Sequence, residues 1–564
     1  MSNSHFPLQL HLGQYQAAIN AAHADLVQHK ILPRIWQHDH TIWKPEPTEI
    51  TNRLGWLHSP EVMQSAIAEI NALVAEVRAA GYTHALLLGM GGSSLAPEVF
   101  RFTFGVQPGY LDLAVLDSTH PEAVLHHAAR LDYHKTLFVV STKSGGTVET
   151  FSFFKYFYNE VQKATGSAKA GEHFIAITDP GSGLADTATQ YHFRKTFLND
   201  PNIGGRYSAL SYFGLVPAAL LGVDIALLLE RARAFANDQS ENNSGLWLGA
   251  FMGELATAGR DKVTFVASPA LASFGAWAEQ LIAESTGKEG KGILPVVEEQ
   301  LGAPAAYAHD RAFVLLRLQN EAAYDAAALV QAGHPVAELV LREAYDLGAE
   351  FFRWEMATII ASQRLGINPF DQPNVESAKV LARKMVAEFH RTGTLPELPP
   401  TLQERELTLY AASAASSIAQ TFKNHIAAIQ TPTPRARGYI ALQAYLATSP
   451  ALEAALQQLA RTLRDTYQLA VTVGYGPRFL HSTGQLHKGD AGHGLFVQFT
   501  ASLAHDAAIP NEAGEHASSM SFGTLVLAQA LGDRQALLDN HRNVLRVDLG
   551  KNALAGLRQL QEMV

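Results

Sequence analysis

The sequence predicts an α/β fold: two doubly wound parallel-sheet domains with helical N- and C-terminal extensions. Three observations carry this. Apolar runs at 84–88, 113–116, 136–140 and 174–177 are continuous rather than alternating, as in strands covered on both faces. Helical segments at 119–131 and 148–164 lie between them, and strand–helix–strand alternation builds parallel sheets. A second series begins near residue 240, with strands at 262–267 and 312–318 flanking a helix at 274–284.

Taken in order, residues 1–58 form a helical lead-in with a polar, proline-containing connector, Trp43-Lys44-Pro45-Glu46-Pro47. The first domain spans 59–235 and opens on Ser59-Pro60-Glu61, an N-cap followed by proline. Met63, Ile67, Ile70, Val74 and Val77 keep helical spacing until Gly81 ends the helix. The second domain covers 236–392, with a helix through 351–364 leading to Asn368-Pro369-Phe370. A proline-rich connector at 394–400 introduces a C-terminal α/β region, 393–564. That region carries helices at 407–429 and 450–466, strands at 469–475 and 544–547, and a loop with His481.

Composition narrows the function. The 564-residue chain is too long for one core. Its net charge of −10 argues against a nucleic-acid partner, which wants a basic face. There are no cysteines, so thiolate chemistry and cysteine-ligated zinc are excluded and a reducing, cytoplasmic compartment is expected. The first residues show no signal peptide. The apolar stretch 210–229 is broken by Pro217, Gly222 and Asp224 and reads as a buried helix pair, since a membrane span wants ~20 uninterrupted apolar residues. No membrane role is expected. The histidines show no spacing that would hold a metal, and His126 and His127 face different sides of their helix.

Two loops have the makings of a phosphate cradle. The strand at 84–88 runs into Gly89-Met90-Gly91-Gly92-Ser93-Ser94, where a glycine turn opening a helix presents backbone N–H groups to an anion. A tight structural turn explains the glycines equally well. The strand at 136–140 ends in Ser141-Thr142-Lys143-Ser144-Gly145-Gly146-Thr147, dense in hydroxyls at a strand-to-helix junction. There Lys143 acts through its backbone N–H more than its charge, and helix capping is the competing explanation. A nicotinamide site is the rival use of the first loop, with Asp117 as the ribose acid, but Ser94 stands where the third glycine belongs.

Groups for chemistry follow. Arg206 comes after two glycines, and a rigid guanidinium suits a developing oxyanion. Glu284 sits at the end of an apolar helix beside a glycine-rich turn, a setting that keeps a carboxylate basic. Gln372 lies in a turn with Lys379 two helical turns on, and His481 occupies a loop after a strand. Each alone has a structural explanation: salt bridge, solvated carboxylate or exposed histidine.

Together these segments resemble the glucose-6-phosphate isomerase family. Gly89 to Pro97 is similar to its glycine–glycine–serine loop, and Thr142 to Thr150 to its Ser-Lys-Thr-x-Thr-Thr-x-Glu-Thr signature, with Gly146 replacing a threonine. Gly205-Arg206-Tyr207-Ser208, Glu284-Ser285-Thr286-Gly287-Lys288 and the Gln372-to-Lys379 spacing resemble its arginine, glutamate and lysine motifs. The resemblance covers roughly 60–500 and is closest to the isomerase half of fused transaldolase/glucose-6-phosphate isomerase proteins, through 204–216 and 480–489. One departure stands out: here the histidine follows the lysine motif, whereas the ordinary family has it before.

The resemblance implies sugar-isomerase (SIS-type) domains and interconversion of glucose 6-phosphate and fructose 6-phosphate through ring opening and an enediolate, without a cofactor. Gly92, Ser93, Thr142, Lys143, Ser144 and Thr147 would bind phosphate, and Gln372 the sugar. Glu284 would be the base, Arg206 the enediolate partner, and Lys379 and His481 the ring-opening groups. The implied partner is a hexose 6-phosphate, with a homo-oligomer left open. The rival from another class is a non-catalytic sugar-phosphate sensor using the same loops.

Overall fold

The computed structural model describes residues 7–166, 168–396, 398–430 and 437–563. The first sheet is all parallel. Its strands lie in the order Asp112–Leu116, His84–Gly89, Thr136–Ser141, Phe174–Thr178, Lys195–Leu198. Leu86, Leu87 and Leu88 are completely buried because helices cover both faces. Each such leucine contributes about 1.5–3 kcal/mol of burial.

The second sheet runs Leu8–His11, Val336–Leu341, Arg311–Leu318, Lys262–Ala267, Leu294–Val296. It is parallel except for the first strand, which pairs antiparallel at the edge. One apolar cluster extends from Leu12 to Phe370 and joins both units. The helices Ser244–Thr257 and Leu347–Leu365 press together there. A Cβ added at Gly249 would lie 2.6 Å from Ile360, so only glycine permits that approach.

The C-terminal region adds a third sheet with its own apolar cluster. Its order is Leu402–Glu404, Leu407–Tyr410, Asn543–Asp548, Gly494–Thr500, Tyr439–Ala444, Ala470–Tyr475. The last four are parallel and the first two antiparallel.

Three expectations need correction. The lead-in is not purely helical: Leu8–His11 is a strand. The helix expected from 407 starts later, at Ile418–Gln430. Leu407 and Leu409 are buried at period two while Thr408 and Tyr410 are half-exposed, which is the patterning of a strand with one covered face. Ser59 is no N-cap but the first residue of a short turn, Ser59–Val62, and the long helix is Ile67–Ala79. The apolar stretch at 210–229 does form two helices, Tyr212–Leu220 and Ile225–Ala236, with Gly222 at φ +88° between them. Asp224 caps the second by accepting from Ala226 N–H at 3.0 Å. Among the described residues no helix is long and apolar enough to cross a membrane.

Candidate active site

In the first sheet the strands His84–Gly89 and Thr136–Ser141 are neighbours whose following connections leave in opposite directions. That switch point opens a crevice at their C-terminal ends, the usual ligand position in such sheets. Both hydroxyl-bearing turns border it. A cleft of about 190 Å³ is lined there by Gly92, Ser93, Thr142, Lys143, Ser144, Thr147, Arg206, Glu284, Gln372, Lys379 and His481. Every residue to which the resemblance gives a role therefore borders one cavity.

Gly92 is indispensable to this meeting. A Cβ there would stand 1.9 Å from the carbonyl oxygen of Gly205, so the glycine turn at 89–94 and the arginine turn touch backbone to backbone. Ser93 is buried. The hydroxyls of Thr142 and Thr147 lie 2.9 Å apart across the mouth of the second turn. Lys143 turns its ammonium away, to the Asp179 carboxylate and, at 3.0 Å, the carbonyl of Pro201. Its charge is already paired.

Arg206 is held from four sides. Its Nε donates to Ser285 Oγ at 2.9 Å, Nη1 to Gln372 Oε1 at 2.8 Å, and Nη2 to the carbonyls of Pro369 and Asp371 at 2.6 and 3.2 Å. Nη1 also lies 3.4 Å from Glu284 Oε1. Tyr207, with Ser285 Oγ at 2.9 Å, braces the same corner, and burial pushes its phenol up to about 12. Lys288 donates to Asp371 Oδ1 at 2.7 Å and so fixes the turn that carries Gln372. Burial, then the nearby Arg206 charge, lowers Lys288 to about 8.

Glu284 is 7% exposed at the end of the helix Phe274–Thr286. One turn earlier, Gln280 donates from Nε2 to Glu284 Oε2 at 3.1 Å and to the carbonyl of His481 at 2.8 Å. Its Oε1 is buried without a partner among the described residues, and Gln280 itself lines the same cleft. Gln280 was not singled out from the sequence, although its place four residues before Glu284 on a buried helix was a usable signal.

His481 is placed by the C-terminal region, on the turn after Ala470–Tyr475. Its Nε2 is 3.0 Å from Oε1 of Glu149, a buried residue in the first turn of the helix Val148–Thr165. Burial works to raise the Glu149 carboxyl, but the His481 charge, its hydrogen bond and Lys379 outweigh it and hold the group below its usual range. Glu149 stays an anion facing the imidazole. Lys379 projects from the helix Val375–Thr392, 4.0 Å from Glu376 and half-exposed. Asp117, the acid of the dinucleotide reading, is instead occupied by Ser94 Oγ at 3.3 Å and Arg478 at 3.4 Å.

Behind the His481 turn, Ser482 Oγ donates to Glu279 Oε1 at 3.2 Å. Burial and the neighbouring Glu298 carboxylate push Glu279 up to about 7. The folded protein thus holds this proton at a pH where the unfolded chain, at its ordinary 4.5, has lost it. Stability falls as pH rises from about 4.5 to 7. Thermal midpoints measured across that window should decline less steeply in Glu279→Gln than in the parent; identical slopes would remove Glu279 as the cause.

The fold and cleft define an α/β protein that sets two glycine- and hydroxyl-rich turns beside a buried carboxylate–guanidinium pair. Residues 61–300 match the family described as phosphoglucose isomerase. The glucose-6-phosphate isomerase of Rubrobacter xylanophilus is 29% identical over 378 residues, 58% of this chain and 87% of that protein. That of Heliobacterium modesticaldum is 28% identical over 398 residues, 60% and 88% of the two chains. The crystal structure of a glucose-6-phosphate isomerase from Chlamydia trachomatis superposes with a TM-score of 0.54 at 20% identity, covering 66% of this chain and 86% of that one. A hypothetical protein from Thermus thermophilus gives 0.58 at 24%, covering 68% and 100%. These two structures share the α/β fold.

Proposed function

We propose that this chain is an aldose–ketose isomerase interconverting glucose 6-phosphate and fructose 6-phosphate. One observation carries the reading: Glu284 and Arg206 lie 3.4 Å apart in the cleft that the two hydroxyl-bearing turns also line. Gly92, Ser93, Thr142, Ser144 and Thr147 hold the phosphate, with Lys143 contributing backbone rather than free charge. His481, held by Glu149, protonates the ring oxygen as the hexose opens, and Lys379 supports that step. Glu284 then takes the proton from C2 of the aldose. The negative charge of the enediolate faces Arg206 while a proton passes from O2 to O1, and Glu284 returns the carbon-bound proton to C1 to give the ketose. Gln372, already bonded to Arg206, orients the sugar hydroxyls. A proton α to a carbonyl is too weakly acidic for a carboxylate alone, so the adjacent guanidinium is essential.

The same proposal divides the chain at 59–235, 236–392 and 393–564, assigns it to the reducing cytoplasm, and sets it nearest the isomerase half of transaldolase fusions. A coupled assay with a panel of hexose phosphates, run without added metal, tests it. Turnover of glucose 6-phosphate and fructose 6-phosphate is expected. Binding without turnover would leave a sensor rather than an enzyme.

A further inference from the structure

The helix Phe522–Asp539 belongs to the C-terminal region, yet its inner face reaches the first unit. Gln529, 3% exposed, donates from Nε2 to Glu149 Oε1 at 2.7 Å. On its other side the hydroxyl of Thr119, fully buried, donates to Gln529 Oε1 at 2.6 Å. The Glu149 carboxylate can only accept, so the amide turns its NH₂ end to it and leaves Oε1 to accept from the Thr119 hydroxyl. The same Glu149 oxygen meets His481 Nε2. Thr119, Gln529, Glu149 and His481 thus form one directed chain of hydrogen bonds ending in the cleft.

The helix carrying Gln529 is also fixed against the helix carrying Lys379. A Cβ at Gly532 would lie 2.7 Å from the backbone nitrogen of Ala382, so the two helices meet without intervening side chains. Gln529 lines a second cavity of about 420 Å³ next to the cleft, together with Lys379, Glu376, Arg383, Glu149 and His481.

We propose that Gln529, braced by Thr119, is a positioning residue for the ring-opening acid. It occupies one lone pair of Glu149 and leaves the carboxylate only the geometry that aims His481 at the substrate. The inference rests on the proposed isomerase reading, which wild-type turnover tests separately. Through Gln529 the C-terminal region becomes part of the catalytic apparatus, and its loop with His481 is one of two contributions rather than the whole.

The test uses the full chain and kcat for fructose 6-phosphate between about pH 5.5 and 9. Gln529→Leu keeps the shape but removes the donor, and kcat should fall about tenfold at every pH with KM within about twofold. Gln529→Glu supplies a donor only while protonated. Facing Glu149, with His481, Lys379, Glu376 and Arg383 nearby, it should keep near-parental kcat at the acid end. It should lose about tenfold as the added carboxyl ionises, a pH step the parent lacks. Thr119→Val, which leaves the buried Gln529 Oε1 without its donor and loosens the amide, should lose severalfold. A purely structural role predicts lower melting temperatures with no new pH step. If Gln529→Leu retains kcat within about twofold, or Gln529→Glu follows the parental profile, the proposal is overturned. Should Gln529→Leu fail to fold, the profile of Gln529→Glu decides alone.

Discussion

Glu284→Gln should lower kcat by about 10³-fold while leaving sugar-phosphate affinity within a few-fold of the parent. The amide matches the carboxylate in size and still accepts from Gln280 Nε2, which lies 3.1 Å from Glu284 Oε2, so packing at the end of the helix survives. What disappears is the lone pair that removes the C2 proton. Steady-state rates together with calorimetric binding of fructose 6-phosphate separate the two quantities. A near-parental rate would take the base away from Glu284, and a lost affinity would make it a binding residue.

Arg206→Lys should cost about 10²–10³-fold in kcat, the scale of losing a preorganised oxyanion donor. A lysine keeps the charge but not the fork. Four bonds fix the guanidinium, to Ser285, Gln372, Pro369 and Asp371, and a single ammonium cannot reproduce that planar set. The freed Gln372 amide should also lose its orientation, raising KM modestly. Kinetics of both variants, with circular dichroism to establish that each is folded, check the expectation. An active Arg206→Lys enzyme would mean that net positive charge suffices and that the directed donors are dispensable.

Local chemistry explains which parts were legible beforehand. The turns at 89–94 and 142–147 announce themselves because glycine and hydroxyl residues concentrate where parallel strands end. Glu284 and Arg206 were readable from their glycine-rich neighbours. Lys143 could be assigned to its segment but not to its partner, since Asp179 comes from the following strand connection. Gln529 was beyond reach for a plainer reason: 380 residues separate it from Glu149, and nothing in its own apolar helix marks it. The strands Tyr439–Ala444 and Gly494–Thr500 escaped for want of a local boundary signal, as buried apolar runs of that length also suit helices. The strand Leu407–Tyr410 was absorbed into a neighbouring helix because four residues give periodicity little room.

The naked contact between Gly92 and Gly205 makes the cleft a fixed ruler. With no side chain at Gly92 between the turn proposed to hold the ester and the turn that presents the guanidinium, the spacing of the two is set by backbone contact. On the proposed roles, a sugar one carbon shorter or longer, held by the same tail, would bring the wrong pair of atoms under the carboxylate. In the proposed isomerase, selection by carbon count would follow from the missing methyl group at Gly92 alone, since a Cβ at Gly205 would meet nothing within 4 Å.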